Sequence, residues 1–189
     1  MRLRPLPSLL IQVVNAALQV CDRTEYTVDS PCSACGGSLS GYDTRIRRFA
    51  VLCSDEGLRP IEVICHRSYC RVCGRVWMPE APFYPETRLG SPVVDLCRTL
   101  ATTMSCGKVA KRLEQMGVKV DRWSVQAYVR LPLPVPPMVS AFGMNLPLSI
   151  VSLSTLGGSQ GEGSRMSGED VLAVCYYPSR QQLQPYRPD

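Results

Sequence analysis

A chain of 189 residues, of which 45% are hydrophobic and 20% are charged, has the composition of a globular protein, which excludes wholesale disorder. The net charge of +5 is unevenly distributed: residues 41–75 carry +3, residues 91–130 carry +4 and residues 131–189 carry −1. Two positive blocks are typical of a surface that contacts phosphates, although charge alone favours two solvated faces.

The N-terminal region, residues 1–29, is predicted to contain one helix over residues 8–20, capped by Ser8. Its apolar face would consist of Leu10, Val13, Val14, Ala17 and Leu18. This apolar run has the outline of a signal peptide, but polar residues interrupt it and no small-residue cleavage site follows. It is also too short to cross a bilayer. We therefore expect a helix that packs on the fold, no membrane partner and a reducing, cytoplasmic location.

Residues 30–78 combine two cysteine motifs with two strand-like runs. Each motif is a Cys-x-x-Cys pair followed by glycine, and the pairs are Cys32 with Cys35 and Cys70 with Cys73. The runs at 42–53 and 61–69 are joined by turn residues at 54–57, which predicts a β-hairpin. Two cysteine knuckles at the ends of such a hairpin are typical of a zinc ribbon.

Four thiolates complete a closed tetrahedral site, so the predicted cofactor is a structural Zn²⁺ held by Cys32, Cys35, Cys70 and Cys73. The alternatives are a redox dithiol or buried thiols. Cys65 and His66 precede the second knuckle, and we expect both to pack or hydrogen-bond rather than to bind the ion. The remaining cysteines lack partners at ligand spacing and are interpreted as small apolar residues. They are Cys21, Cys53, Cys97, Cys106 and Cys175.

Six arginines lie on the predicted ribbon or beside its second knuckle: Arg45, Arg47, Arg48, Arg67, Arg71 and Arg75. They are suited to phosphate contacts, and a solvated ribbon face is an equally good interpretation.

Residues 79–90 are predicted to be an extended linker, stiffened by prolines. Residues 91–131 then predict a helix-turn-helix module of three helices. The first would be capped by Ser91, with proline following, and the second by Ser105. Gly117 would end the second helix in the left-handed conformation, and Asp121 would cap the third.

The third predicted helix places Arg122, Gln126 and Arg130 on one stripe. Arginine and glutamine are side chains that read base edges in the major groove, so this stripe predicts binding of double-stranded DNA. Lys108, Lys111 and Arg112 on the second helix would contact phosphates. Facing the first two helices we expect Val125, Ala127, Tyr128 and Val129, and Trp123 is interpreted as a packing residue. The alternative is an ordinary three-helix bundle with a charged, hydrated face.

The C-terminal part, residues 132–189, is predicted to be a largely irregular tail rich in proline, glycine and serine. One short strand is expected at 148–156, a flexible stretch at 157–168 and one short helix at 169–177. The predicted fold class is therefore α+β: an N-terminal helix, a zinc ribbon, a three-helix module and this tail.

The two cysteine knuckles and the helical module resemble the N-terminal region of prokaryotic, notably archaeal, insertion-sequence transposases. The motifs that carry the resemblance are the first knuckle, the segment 69–77 (YCRVCGRVW), the segment 107–113 (GKVAKRL) and the segment 123–129 (WSVQAYV). The resemblance spans roughly residues 30–131 and implies recognition of an element's terminal DNA, near a transposition complex.

Such transposases cut DNA with three carboxylates on a separate catalytic domain. After Arg130 the only acidic residues are Glu162, Glu169, Asp170 and Asp189, in sequence without a strand–helix framework. We therefore expect a non-catalytic zinc-binding and DNA-binding protein, whose partner is DNA and, beyond it, a transposase or transcription complex. The alternatives are a protein–protein adaptor and a truncated transposase fragment.

Overall fold

The structure is a computed structural model that describes residues 5–159 and 166–175. It has an α+β fold with a mixed four-stranded sheet and a separate two-stranded hairpin. The helices are α1 (Ser8–Gln19), α2 (Ser91–Ala101), α3 (Cys106–Gln115), α4 (Arg122–Arg130), α5 (Leu148–Ser159) and α6 (Gly168–Val174). The strands are β1 (Glu25–Tyr26), β2 (Leu39–Ser54), β3 (Gly57–Cys70), β4 (Val76–Trp77), β5 (Met138–Ala141) and β6 (Met144–Pro147).

The sheet is built on one long antiparallel hairpin of β2 and β3. Its register runs from the pair Ser54 and Gly57 at the turn to the pair Leu39 and Cys70 at the open end. Sixteen residues of extended chain span about 50 Å, so the cysteine knuckles lie far from the turn. The edge of β3 pairs first with β1, in parallel, and then with β4, antiparallel.

The middle of this hairpin lies in the hydrophobic core, where Phe49 and Ile61 are fully buried. Helices α1, α2 and α5 pack there as well. The buried hydrophobic side chains of the described residues, apart from those of Cys32 and Cys70 in the knuckles, form one cluster. The open-end half of β2, from Leu39 to Arg48, is exposed or half-buried. The hairpin therefore projects from the core and carries the knuckles at its far end.

Two of the predicted helix caps are wrong. Ser8 and Ser91 are the first residues of α1 and α2, whose N-cap positions are Pro7 and Gly90, and neither helix has a side-chain cap. Glycine is required at position 90, because a Cβ atom there would lie 2.3 Å from the Phe49 ring. Ser105 is the N-cap residue of α3, as predicted, but its side chain accepts no capping hydrogen bond.

Residues 79–90 were predicted to be an extended linker, but the structure corrects this prediction. Phe83, Tyr84 and Leu89 are buried in the core cluster. The Phe83 ring packs edge-to-face on Phe49, with the ring centroids 5.9 Å apart. Phe83 holds this segment to the hairpin, so it is part of the folded core.

The prediction of a largely irregular tail is also wrong for the residues that the structure describes. Residues 138–147 form a hairpin whose turn residues, Phe142 and Gly143, both have positive φ. The predicted strand at 148–156 is the helix α5, in which Ile150 and Leu153 are buried, and α5 packs along α1. A short apolar run fits either a strand or a buried helix, and packing against α1 decided the outcome.

The short helix predicted at 169–177 corresponds to α6, which Ser167 caps by accepting a hydrogen bond from the backbone N–H of Asp170 at 3.2 Å. Residues 176 and 177 lie outside the described residues. Of the stretch predicted to be flexible, residues 157–159 belong to α5, and residues 160–165 also lie outside the described part of the chain.

Candidate functional site

The two Cys-x-x-Cys-Gly motifs fold into matching knuckles. In the first, the N–H of Gly36 donates to the carbonyl of Cys32 at 2.7 Å, and in the second the N–H of Gly74 donates to the carbonyl of Cys70 at 2.9 Å. The two glycines have φ values of 70° and 69°, the left-handed conformation that favours glycine. Each pair of cysteines is thereby folded back so that both thiols point to the same side.

The structure brings the four sulfurs together, as the motif spacing predicted. The Sγ atoms of Cys32 and Cys73 are 3.6 Å apart, those of Cys35 and Cys70 are 3.5 Å apart, and all four lie within 4.8 Å of one another. A tetrahedral zinc ion with Zn–S bonds of about 2.3 Å requires sulfurs about 3.8 Å apart. The cluster could hold a metal ion, and four cysteine donors favour zinc.

Close packing between the knuckles keeps the cluster compact. A Cβ atom at Gly37 would lie 2.8 Å from Cγ2 of Val72 and 3.1 Å from the sulfur of Cys70. Any side chain at position 37 would therefore push the two knuckles apart, so the glycine is needed for the approach of the two Cys pairs.

Backbone hydrogen bonds favour the ionised form of two of the thiols. Burial raises the pKa of Cys32, but the N–H groups of Ala34 and Cys35 outweigh burial and lower this pKa to about 6. The N–H of Cys73 lowers the pKa of Cys70. For Cys35, the N–H of Gly37 lowers the pKa, but the hydrogen bond with Cys70 and burial raise it to about 12. The knuckles thus favour the thiolate, the form that binds zinc, at Cys32 and Cys70.

Cys65 and His66 do not join the cluster, as predicted. The Cys65 side chain is fully buried in the core. His66 lies on the sheet, where its Nδ1 is 3.1 Å from the hydroxyl of Thr44 and its Nε2 is 3.2 Å from a carboxylate oxygen of Glu25.

The other cysteines carry free thiols, and those on the helices and in the core behave as small apolar residues. Cys21, Cys97 and Cys175 are buried, and burial raises the pKa of each thiol. Cys53 and Cys106 are half-buried. None of them lies in the four-cysteine cluster, which is the only possible metal-binding group found among the described residues.

The predicted helix-turn-helix residues form three packed helices, α2, α3 and α4. Gly117, with a φ of 79°, follows the end of α3 as predicted. Six residues separate α3 from α4, more than the three or four of a compact helix-turn-helix. This connection is hydrogen-bonded to β2: the N–H of Lys119 donates to the carbonyl of Val51, and the N–H of Cys53 donates to the carbonyl of Gly117, both at 2.8 Å.

Helix α4 begins as predicted, because the Asp121 carboxylate accepts a hydrogen bond from the N–H of Ser124 at 2.8 Å. Val125 and Tyr128 are buried against the neighbouring helices. Arg122 and Arg130 are exposed, and Gln126 is half-buried. Ala127 and Val129, which were expected to face inward, are exposed, because only two inward positions of this short helix meet α2 and α3.

The predicted phosphate contacts on α3 divide into two groups. Lys108 and Lys111 are exposed. Arg112 is only 8% exposed, and its guanidinium donates to the side chain of Gln115 at 3.1 Å. The structure therefore corrects the prediction for Arg112, whose side chain lies in the helix packing and not on the surface that the two lysines share.

Trp123 is the second correction on this surface, because it was interpreted as a packing residue and is 73% exposed. Its ring lies 5.6 Å from the guanidinium carbon of Arg122. The sequence carried one signal for this exposure: position 123 lies beside the polar stripe of α4.

Two of the ribbon arginines are half-buried and held by protein groups. Arg47 stacks on the Phe83 ring, with its guanidinium carbon 3.7 Å from the centroid. Arg67 donates hydrogen bonds to both carboxylate oxygens of Asp43, and the hydrogen bond lowers the pKa of that carboxyl group. These two cations serve the fold. The other four are exposed on the ribbon: Arg45, Arg48, Arg71 and Arg75. Of these, Arg45 lies 3.6 Å from the Asp43 carboxylate, and Arg71 donates a hydrogen bond to the Ser40 hydroxyl at 2.5 Å.

Comparisons with protein-family models, with curated proteins and with solved structures found no match to this chain. Among the described residues no helix has both the length and the apolar character needed to cross a membrane. The site itself therefore has to support any statement about function.

Proposed function

We propose that this chain is a non-catalytic protein that binds double-stranded DNA through α4 and is stabilised by a structural zinc ion. The observation that carries the proposal is the outer face of α4, which bears Arg122, Gln126 and Arg130. The buried residues of the helix are Val125 and Tyr128. Side chains of these types form paired hydrogen bonds with guanine and adenine in the major groove.

The charge around α4 supports the same proposal. Lys108 and Lys111 are exposed on α3. The aliphatic part of Arg122 lies near the start of α3, since a Cβ atom at Gly107 would be 3.9 Å from its Cδ. Cations of the two helices therefore share one surface, on which the lysines would contact phosphates while α4 contacts bases.

The metal in this proposal has a structural role. Four cysteine sulfurs would occupy every position of a tetrahedral zinc ion, which leaves no position for water or substrate. Zinc binding would instead contribute folding free energy to the end of the hairpin, which projects from the core. The resemblance to transposase DNA-recognition regions agrees with this division and proposes a transposase or transcription complex as the wider partner.

The proposal is tested by titrating the full chain against duplex DNA at two salt concentrations. Affinity should fall steeply between about 50 mM and 200 mM salt, because bound cations release counterions from DNA. Arg122→Ala and Arg130→Ala should each weaken binding by about tenfold while the melting temperature is unchanged.

Arg59→Ala is a matched control, since Arg59 is an exposed cation on β3 and is outside the proposed surface. It should retain wild-type affinity. Equal affinity of the wild type and both α4 variants, or binding that does not respond to salt, would overturn the proposal.

A protein–protein adaptor is the second candidate, favoured by a separate observation. The projecting end of the hairpin exposes apolar side chains: Ile46 is 58% exposed, Val72 is 72% exposed and Val76 is 43% exposed. A partner held by these side chains would bind with little dependence on salt, which distinguishes this function from DNA binding.

A further inference from the structure

The most exposed aromatic ring among the described residues lies on the proposed DNA-binding helix. Trp123 is 73% exposed, and its nearest described ring contact is the guanidinium of Arg122. Single exposed apolar side chains are common on folded surfaces, and the significance of Trp123 lies in its place on the proposed DNA-binding helix. This exposure has no role in the packing of α2, α3 and α4.

The position of Trp123 is fixed by the helix that carries it. It is the second residue of α4, directly after the Asp121 cap, and the cap fixes the first turn. The N-terminal residues of a recognition helix are those that contact base edges in the major groove. Trp123 and Ala127 are one turn apart, so they form an exposed apolar row beside the row of Arg122, Gln126 and Arg130.

The chemistry of this row selects one feature of DNA. Apart from the indole N–H, which can only donate, an indole ring and a methyl group offer apolar surface, and the apolar group that the major groove displays is the C5-methyl of thymine. The arginines and the glutamine beside this row are suited to guanine and adenine edges. The apolar row is therefore suited to thymine and the polar row to guanine and adenine, so the two rows together distinguish more bases than either row alone.

We infer that Trp123, with Ala127 beside it, contacts the C5-methyl group of a thymine and so specifies thymine in the bound DNA. The inference rests on the proposed function, because it requires α4 to enter the major groove. The inference adds to that function the identity of one recognised base, the thymine that the apolar row contacts.

The test uses the duplex that the full chain selects from a pool of random sequences. Each thymine of this duplex is replaced in turn by deoxyuridine, which removes only the C5-methyl group. With the wild-type chain, one replacement should weaken binding about fourfold, the expected loss for one buried methyl group. With Trp123→Ala the same replacement should have no effect.

Two controls separate base contact from general damage. Leu9→Ala removes another exposed apolar side chain, 56% exposed on α1, and should keep the full deoxyuridine effect. Trp123→Ala should leave the salt dependence of binding unchanged, because it removes no charge, whereas Arg122→Ala should reduce it.

The failures are distinguishable. If no duplex is bound, the proposed function is overturned and the inference falls with it. If a duplex is bound with the expected loss in Arg122→Ala, but no thymine methyl group matters or the effect persists in Trp123→Ala, the inference is overturned and the proposed function stands.

Discussion

Asp95 is a carboxyl group placed inside the core, and it illustrates how a single residue ties stability to pH. It is 2% exposed on α2, and the hydroxyl of Tyr84 donates to its two oxygens at 3.0 and 3.1 Å. Burial raises its pKa to about 6, although Tyr84 and Arg98 oppose the rise. The charged form is therefore disfavoured in the folded state.

We predict that Asp95→Asn removes a loss of stability that the wild type shows between pH 4 and pH 7. A carboxyl group whose pKa is raised by folding stabilises the folded protein at pH values below its pKa in the unfolded chain. This contribution is lost as the pH rises through about 6. From pH 4 to pH 7, the unfolding free energy of the variant should rise relative to that of the wild type by up to about 3 kcal/mol.

Chemical denaturation at several pH values measures this difference. Asp55→Asn, a change at an exposed carboxyl group in the β2–β3 turn, controls for the loss of one negative charge. A constant difference between Asp95→Asn and the wild type at pH 4 and pH 7 would contradict the prediction.

At the scale of elements, the long hairpin has two ends with different sources of stability. Between its middle and the turn it is buried at Phe49, Leu52 and Ile61, and it is joined to the α3–α4 connection, where Leu52 and Val118 form a bridge. At the open end both strands are mostly exposed or half-buried, and the two knuckles meet there. The open end therefore depends on the four-cysteine cluster much more than the turn end does.

We predict that Cys70→Ser lowers the zinc content of the purified chain and frees the open end of the hairpin, while the core remains folded. Serine is a poor zinc ligand, and removing one thiolate leaves an incomplete site. Amide hydrogen exchange should accelerate at residues 39–46 and stay slow at residues 50–53, and elemental analysis should show the lost metal. Cys53→Ser, half-buried and outside the cluster, should change neither readout. A tightly held ion in Cys70→Ser would contradict the assignment.

At the scale of the whole molecule, segments distant in sequence share one core. Residues 79–90 add Phe83 and Tyr84 to it, and α5 adds Ile150 and Leu153 beside α1. The C-terminal part that the structure describes is therefore a structural part of the fold, and we expect it to unfold together with the rest.

We predict that Leu153→Ala lowers the unfolding free energy of the whole chain by about 2–5 kcal/mol, the usual effect of removing a fully buried leucine side chain. The side chain is 0% exposed, so its loss leaves a cavity between α5 and the core. Chemical denaturation of Leu153→Ala should still show a single unfolding transition, with its midpoint at a lower denaturant concentration than that of the wild type. Val135→Ala, in the same C-terminal part of the sequence but 77% exposed, should stay within about 0.5 kcal/mol of the wild type. Equal stability of the two variants would show that α5 is not part of the core.

The metal cluster was largely predictable from sequence, and the exposed surface was predictable only in part. Cys32, Cys35, Cys70 and Cys73 were identified because a Cys-x-x-Cys-Gly spacing dictates the local turn. The cap of α4 by Asp121 was predicted for the same reason. In contrast, Arg112 and Trp123 were assigned to the wrong environments, because helical periodicity does not say which neighbouring helix covers which side of a short helix.

The sequence by itself determined the features that depend on a few neighbouring residues: the two knuckles, the hairpin between them, the left-handed end of α3 at Gly117 and the start of α4. Only the tertiary structure decided that residues 79–90 are buried, that 148–156 form a helix, and that Trp123 faces water. Short-range geometry is encoded in the spacing of adjacent residues. Burial depends on which distant segments meet, and that choice belongs to the packing of the whole chain.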